Sequence, residues 1–209
     1  MSASLIKFAV AVLASAVITG CSGGGGSSAS NTTEQKSSDL PVAVNAVQSV
    51  DFSSISDENL ANCIKENEIT HTGVQVLVCA DKDIQSLDGI EQFSNLRVVN
   101  LSQNNIRTIR PLAKLKRLFA LDISANKLED LNGIEQLPKL NKLNANNNQL
   151  ASADSLQELK NLKRLYISNN QLQSLSFVSS LESLENLDAE NNQRSSLPKL
   201  PTGIKTFNI

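Results

Sequence analysis

Side chains that commonly carry chemistry in proteins are scarce in this chain of 209 residues, which holds three cysteines, one histidine, one tyrosine and no tryptophan. The histidine, His71, lies in a polar stretch, where a solvent-exposed loop residue is far more common than a general base. The glycine run at 23–26 lacks the strand, helix and lysine that a phosphate-binding loop requires. Glu129 and Asp130 are adjacent acids of the kind found on solvated turns. The sequence therefore predicts no enzyme, no catalytic residue and no cofactor.

The charge balance narrows the ligand classes further. The chain has 19 basic and 21 acidic residues, with a formal net charge of -2. These totals imply no polyanion-binding surface. We expect no nucleic-acid partner, no small-molecule substrate and no metal site.

The amino terminus has the layout of an export signal. One cation, Lys7, precedes an apolar run at 8–18, which is too short for the ~20 residues of a membrane-spanning helix. The run ends in Ile-Thr-Gly before Cys21, which resembles the bacterial lipobox. The resemblance implies that Cys21 receives diacylglycerol and palmitate and becomes the new amino terminus when residues 1–20 are removed. The alternative is an ordinary secreted protein in which Cys21 is incidental.

Residues 21–50 follow as a predicted tether. They begin with Ser22 and four glycines and continue through serine, asparagine and threonine with almost no apolar residue before Leu40. Such a segment buries too little surface to offset its ordering entropy. Ser22 after the cysteine resembles the sorting pattern for the outer membrane of Gram-negative bacteria. The resemblance implies an outer-membrane lipoprotein of the cell envelope.

Leucine and asparagine dominate the remainder of the chain, with 29 and 23 copies overall. The leucines restart a pattern every 22 residues at Leu96, Leu118, Leu140, Leu162 and Leu184. Each copy follows Leu-x-x-Leu-x-Leu-x-x-Asn-x-Leu with conservative replacements, and the match resembles the leucine-rich repeat family, in its 22-residue, internalin-like class. The resemblance covers residues 74–209 and implies an α/β solenoid of about six coils and a terminal strand. It also implies a horseshoe with a parallel β-sheet on its concave face.

Two periodic features explain how such coils hold together. Alternating apolar residues, such as Leu121 and Ile123, predict a short strand with one buried face in each coil. An asparagine follows each strand, and we expect its side chain to bond backbone groups that the curved chain leaves unpaired. This structural ladder consists of Asn104, Asn126, Asn148, Asn170 and Asn192.

Both ends of the repeat array depart from the pattern. Residues 51–73 form the predicted cap, in which Asp57–Glu66 carries Leu60, Cys63 and Ile64 at helical spacing after a candidate Ser56 cap. At the other end the period shortens to 20 and restarts at Ile204. We expect the last strand to present an open sheet edge.

Cys63 and Cys79 are both predicted to face the core at this cap. Cys63 lies on the inward face of the helix, and Cys79 replaces a core leucine in the first coil. The resemblance to bacterial secreted repeat proteins implies a disulfide between them. Two free buried thiols are the alternative. A metal site is disfavoured because only His71 could join them.

The outward residues of the strands predict a continuous binding face, which turns from small and apolar near the cap to basic and aromatic at its middle. Arginine and tyrosine are enriched at the energetic centres of interfaces. We therefore predict a protein-binding site at Lys142, Arg164, Tyr166, Asp122, Asn144 and Asp188. The alternative is a solvated surface on which the basic residues simply pair with Asp122 and Asp188.

Together these features predict a lipid-anchored envelope protein that binds a protein ligand, of the envelope or of a host, through its concave face. The alternative is a structural envelope component that self-associates through its open carboxyl-terminal edge.

Overall fold

The computed structural model of the chain describes residues 47–193, 196 and 198–209. The predicted signal segment at 1–20, Cys21 and most of the predicted tether lie outside the described residues. Within these residues, no helix is long and apolar enough to cross a bilayer.

The structure confirms the predicted α/β solenoid. Seven strands of three residues each pair in chain order as one parallel sheet. The strands are β1 Val76–Val78, β2 Val98–Asn100, β3 Ala120–Asp122, β4 Lys142–Asn144, β5 Arg164–Tyr166, β6 Asn186–Asp188 and β7 Thr206–Asn208.

Each coil returns from one strand to the next through short 3₁₀ helices or turns. These helices span Ile90–Gln92, Arg110–Lys114, Ile134–Gln136, Asp154–Glu158 and Ser176–Ser180, and a further one, Phe52–Ser54, lies in the cap. A single core runs between the sheet and these helices. Leu96, Val99, Leu101, Ile106 and Leu112 from one coil are all fully buried and stack on their equivalents in the next. Since no coil encloses a core alone, the stacking of neighbours stabilises the whole array.

The sheet register follows directly from the 22-residue period. Val98 pairs with Ala120, Ala120 with Lys142, and Lys142 with Arg164, so positions 22 apart lie side by side. The last pairing joins Asn186 to Thr206, as the shortened period of 20 predicts. The outward face is therefore fixed residue by residue by the repeat.

Every asparagine of the ladder joins its own coil to the preceding one. The side chain of Asn126 accepts a hydrogen bond from the Ile106 amide at 3.0 Å and donates to the carbonyl oxygens of Leu101 and Ile123 at 2.9 and 3.1 Å. The other four asparagines repeat this arrangement. In the described part of the chain, every buried side-chain nitrogen or oxygen has a hydrogen-bond partner.

A left-handed residue precedes each ladder asparagine and turns the chain out of the strand. Its φ is 58° at Gln103, 54° at Ala125 and 57° at Asn147. Asparagine tolerates this region better than other residues with a side chain, and it occupies the position in the last three coils, at Asn147, Asn169 and Asn191.

The helical cap, α1 at Glu58–Glu66, buries Leu60, Cys63 and Ile64 against the first coil. The predicted Ser56 cap is wrong. The Asp57 side chain caps the helix, because one carboxylate oxygen accepts from the Leu60 amide while the other accepts from the amides of Gln85 and Ser86. Partial burial alone would raise the pKa of Asp57, but these amide hydrogen bonds outweigh it and hold that pKa below its ordinary value.

A disulfide joins Cys63 of α1 to Cys79, which directly follows β1. It closes a loop with a sequence separation of 16 residues, and a cross-link of that size contributes about 3 kcal/mol in the chain-entropy description. The Asn67 side chain adds a hydrogen bond to the Val78 carbonyl. The cap thus covers the β1 edge both covalently and through polar contacts.

One compact unit spans Val47–Ile209, and its first residues bond to the cap. The Thr72 amide donates to the Gln48 carbonyl at 2.8 Å, and the Val50 amide donates to the Thr70 carbonyl at 3.1 Å. Ser49 and His71 form the antiparallel bridge between them. These backbone hydrogen bonds attach 48–50 to the cap.

The ladder generates a quantitative prediction for stability. Asn126→Ala leaves the buried Ile106 amide without its acceptor and takes one of two asparagine donors from the Leu101 and Ile123 carbonyls, which Asn104 and Asn148 still reach. We expect the free energy of unfolding to fall by about 1–3 kcal/mol. Urea unfolding of the disulfide-bonded protein measures this change. Asn132→Ala, at an exposed turn asparagine, is the matched control and should shift the unfolding free energy by less than about 0.5 kcal/mol. Equal effects of the two substitutions would contradict a structural role for the ladder.

Candidate functional site

The middle of the concave face brings a basic pair beside an aromatic ring. Lys142 lies at the start of β4, and its partner in the register, Arg164, starts β5. The Lys142 ammonium lies 5.9 Å from the centroid of the Tyr166 ring, within the range of a cation–π contact. Arg164 is exposed and Tyr166 is half-buried. The structure therefore places these three predicted residues together.

Asp122 and Asn144 lie in the predicted outward row of the sheet, but their side chains are held by hydrogen bonds within the protein. Asp122 is only 7 % exposed, because its carboxylate accepts hydrogen bonds from the Ser124 amide and hydroxyl on one oxygen and from the Asn144 side-chain amide on the other. Asn144 in turn accepts from the Asn146 amide at 3.2 Å. Both side chains lie at the ends of their strands, in the same outward row as Tyr166, where these hydrogen bonds hold them. A contact of Asp122 with a partner stays a prediction.

Sequence reasoning missed this supporting role, although a signal for it exists. At the ends of three successive strands an asparagine or aspartate is followed two residues later by serine or asparagine. In each case the first side chain accepts a hydrogen bond from the amide of the second residue, as Asn100 does from Ser102 at 3.0 Å. This is the local bond that makes asparagine and aspartate favourable at turns. The recurring pair predicts a strand end as well as an outward side chain.

Asp188 lies at the end of β6, where it accepts a hydrogen bond from the Ser168 hydroxyl at 2.6 Å. In the described part of the chain, no ion pair within 4 Å joins Arg164 to Asp122 or Asp188. The structure therefore does not show the alternative in which Arg164 pairs with Asp122 or Asp188. Its guanidinium remains available to a carboxylate or phosphate, which it can bind with two parallel hydrogen bonds.

The electrostatics of Lys142 reflect its crowded position. Partial burial lowers the pKa of Lys142 from its ordinary value, the Asp122 carboxylate opposes that effect, and the Arg164 guanidinium lowers the pKa further. The cluster combines two cations, one ring and a largely buried anion on adjacent coils.

Towards the carboxyl terminus the face continues into a shallow cavity of about 200 Å³ between Tyr166 and Phe207. Asn186, Asp188, Thr206 and Asn208 complete its polar lining. The Phe207 ring on β7 is 56 % exposed. The polar character of the face therefore extends beyond the predicted centre, whereas Phe207 lies in the row of the buried Leu187, which faces the core side of the sheet.

Groups that could support other chemistry are not assembled in the described residues. His71 is exposed, as expected, and its ring Nδ1 accepts a hydrogen bond from the Gly73 amide at 3.1 Å. Cys63 and Cys79 are joined to each other. Across 47–193, 196 and 198–209, no three His, Cys, Asp or Glu side chains are grouped as ligands for a metal ion.

Comparison with known proteins agrees with this architecture. The model of the family described as "Leucine Rich repeats (2 copies)" matches residues 160–202. Comparison with curated protein sequences finds no significant match. The chain is an α/β solenoid built from leucine-rich repeats.

Solved structures with similar folds include proteins of two bacteria. The chain is similar to internalin InlF of Listeria monocytogenes at 20 % identity, with a TM-score of 0.58, covering 78 % of this chain and 58 % of that one. It is similar to a leucine-rich-repeat protein of Leptospira interrogans at 27 % identity, with a TM-score of 0.58, covering 63 % and 34 % of the two chains. A third similarity is to the functional domain of InlJ from Listeria monocytogenes, which includes a cysteine ladder, at 23 % identity and a TM-score of 0.60, covering 72 % and 40 %. The chain therefore spans between about one third and three fifths of the length of these proteins.

The charge arrangement around Lys142 predicts opposite responses to two conservative substitutions. Arg164→Gln removes a repelling cation and should raise the pKa of Lys142, whereas Asp122→Asn removes an attracting anion and should lower it. Asparagine fits at 122 because Asn100 and Asn144 occupy the equivalent positions with the same local hydrogen bond. Titration of the Lys142 side chain by NMR measures both shifts. Shifts of the same sign would contradict the described cluster.

Proposed function

We propose that this protein is a non-catalytic protein-binding module that engages a partner through the concave face of its repeats. The observation that carries the proposal is the cluster of Lys142, Arg164 and Tyr166 at the middle of that face. An arginine with available donors beside a tyrosine ring is the composition of an interface centre.

The surroundings of the cluster support this function. Asp122 and Asn144 lie beside Tyr166 in the same row and are held by hydrogen bonds to Ser124 and to each other, and side chains that are fixed before binding lose less entropy on association. The small residues Val98 and Ala120 lie next to the cluster in the same row of the sheet. These two side chains are only 5 % and 2 % exposed, so a partner would make its main contacts on the basic side, with acidic or aromatic groups against Arg164 and Tyr166.

We further propose that the module is held at the bacterial cell envelope by a lipid on Cys21, at the outer membrane of a Gram-negative organism. The support is the sequence around Cys21 and the low apolar content of the segment that follows. Each buried methylene of an acyl chain contributes about 0.8 kcal/mol, so a multiply acylated cysteine anchors a protein stably.

The concave face is tested with the double variant Arg164→Ala/Tyr166→Ala in the full-length chain. Partners are crosslinked in the native cell and identified by mass spectrometry. Loss of two interface-centre residues costs about 2 kcal/mol or more, which is a loss of about thirtyfold or more in affinity. Recovery of the crosslinked partner should fall accordingly.

The matched control Arg110→Ala/Lys114→Ala removes two exposed cations on a 3₁₀ helix away from the sheet and should leave recovery unchanged. Unchanged recovery with the folded concave-face variant would refute the site.

The anchor is tested by metabolic labelling with an alkyne analogue of palmitate. The wild-type chain should carry the label and partition into detergent, and Cys21→Ser should lose both properties. Cys63→Ser/Cys79→Ser, in which Cys21 is the one cysteine left, should keep the label. Absence of label on the wild-type chain would overturn the lipid proposal without affecting the concave-face proposal.

Self-association through β7 is a second candidate function, favoured by the exposed Phe207 ring. Light scattering coupled to size-exclusion chromatography distinguishes it from the first. A mass that rises with concentration, and that Phe207→Ser abolishes, supports self-association. A monomer at every concentration rejects it.

A further inference from the structure

A basic groove lies beside the concave sheet, at the amino-terminal ends of the first strands. Its lining residues are Gln75, Asn95, Arg97, Arg117, Phe119 and Lys139, which enclose about 300 Å³. Gln75, Arg97 and Phe119 each directly precede a strand, so the parallel register places them on adjacent coils. Neighbouring strands are about 4.8 Å apart. Arg117 and Lys139 occupy the same position of successive coils, and Arg97 lies on the coil before them, at a position two residues further along the repeat.

The positive charge of this groove is not compensated by nearby acids. In the described residues, no carboxylate lies within 4 Å of the charged nitrogens of Arg97, Arg117 or Lys139. The same row of the solenoid is balanced further along, where Lys163 and Lys205 both pair with Glu185, at 3.2 and 2.7 Å. The groove therefore carries three cations that no acid of the described residues pairs with, although the formal net charge of the whole chain is only -2.

One of these cations is already oriented by a neutral partner. The Arg117 guanidinium donates to the Asn95 side-chain oxygen at 2.6 Å, an interaction that fixes its direction without neutralising it. Its remaining N–H groups can still meet an anion in two-point geometry. Arg97 and Lys139 are exposed at the two sides of the groove.

The backbone amides and carbonyls along the groove already bond to each other between coils, so recognition of a ligand depends on side chains. The Gln75 carbonyl accepts hydrogen bonds from the Arg97 and Val98 amides, and the Arg97 carbonyl accepts from the Phe119 and Ala120 amides. The half-buried Phe119 ring supplies an apolar wall, and the exposed Gln75 side chain supplies an amide donor and acceptor.

We propose that this lateral groove is a second binding site, which takes an acidic segment of a protein partner in extended conformation. Carboxylates of the segment bind Arg97, Arg117 and Lys139. An apolar side chain between them packs on Phe119, and the Gln75 amide bonds the peptide backbone. An amide and an aromatic wall between the cations favour a peptide over a bare phosphate, because a phosphate uses neither group.

The site is separate from the concave cluster and requires different residues. Lys142, Arg164 and Tyr166 do not line it. A partner could occupy one site alone or contact both, and the two sites are tested by independent substitutions.

The test measures binding of a fluorescein-labelled peptide to the full-length protein in detergent by fluorescence anisotropy. The peptide alternates three aspartates with two leucines between terminal glycines, and a matched peptide carries asparagines in place of the aspartates. We expect the aspartate peptide to bind at least about tenfold more tightly than the asparagine peptide at low salt. Its affinity should fall as ionic strength rises, because exposed charges are screened.

The variant Arg97→Gln/Arg117→Gln/Lys139→Gln should lose at least about tenfold in affinity for the aspartate peptide. The control Arg110→Gln/Lys114→Gln/Lys127→Gln removes the same charge from exposed positions elsewhere and should keep wild-type affinity. Circular dichroism and the thermal midpoint verify that both variants fold. The concave-face variant Arg164→Ala/Tyr166→Ala should also keep its affinity for the peptide, so failure of one site is distinguishable from failure of the other.

Three results would overturn the assignment. The first is an aspartate peptide that does not bind, or that binds the groove variant and the control variant equally. The second is inorganic pyrophosphate that displaces the peptide as effectively as unlabelled peptide does, which would assign the groove to phosphate groups. The third is binding to vesicles of phosphatidylglycerol, but not to the peptide, that the groove variant abolishes, which would assign it to a lipid surface.

Discussion

The asparagine at the turn of each coil is the constraint on which the solenoid depends. A coil of 22 residues has to reverse direction after a strand of only three residues, and the reversal leaves amides and carbonyls inside the protein without partners in their own coil. Each ladder side chain bonds an amide and a carbonyl of the preceding coil, and it also donates to carbonyls of its own coil. Because an unsatisfied buried polar group costs about 1–3 kcal/mol, the same bonds that close one turn also fix the position of its neighbour. The leucine column provides the apolar driving force, and the asparagines determine the spacing and register at which it acts.

This division of roles leaves the surface residues free to vary. The strand positions that face outward contribute little to the core, so the face can change from valine and alanine near the cap to lysine, arginine and tyrosine at its middle without altering the register. Outward residues at the strand ends vary less freely, because their side chains also make the hydrogen bonds at which the strands end. Asp122 shows both demands, because it attracts Lys142 while its oxygens are held by Ser124 and Asn144. The proposed binding cluster is thus flanked, in the row of Tyr166, by side chains that the repeat itself holds in place.

Much of the fold was predictable because its determinants repeat. A period of 22 fixes which residues are adjacent in the sheet, and the departure to 20 at the end placed Thr206 beside Asn186. Non-repeating features were harder to predict. The helix cap depends on Asp57 bonding the amides of Gln85 and Ser86 from a different segment, and nothing in the local sequence distinguishes that from a Ser56 cap. The basic groove was missed for a similar reason. Its cations occupy two different positions of the repeat and are about 20 residues apart in sequence. In the net charge of the whole chain they are offset by acids elsewhere.

Hydrogen exchange at the backbone amides that donate to the ladder tests the central claim most directly. The amides of Ile106, Leu128 and Leu150 donate to Asn126, Asn148 and Asn170 of the following coils. If the ladder couples the coils, these amides open only when neighbouring coils separate, and all three should exchange with one common free energy that equals the free energy of global unfolding and has the same denaturant dependence. Exchange of these amides through local fluctuations, with separate and lower free energies than the strand amides beside them, would contradict the account.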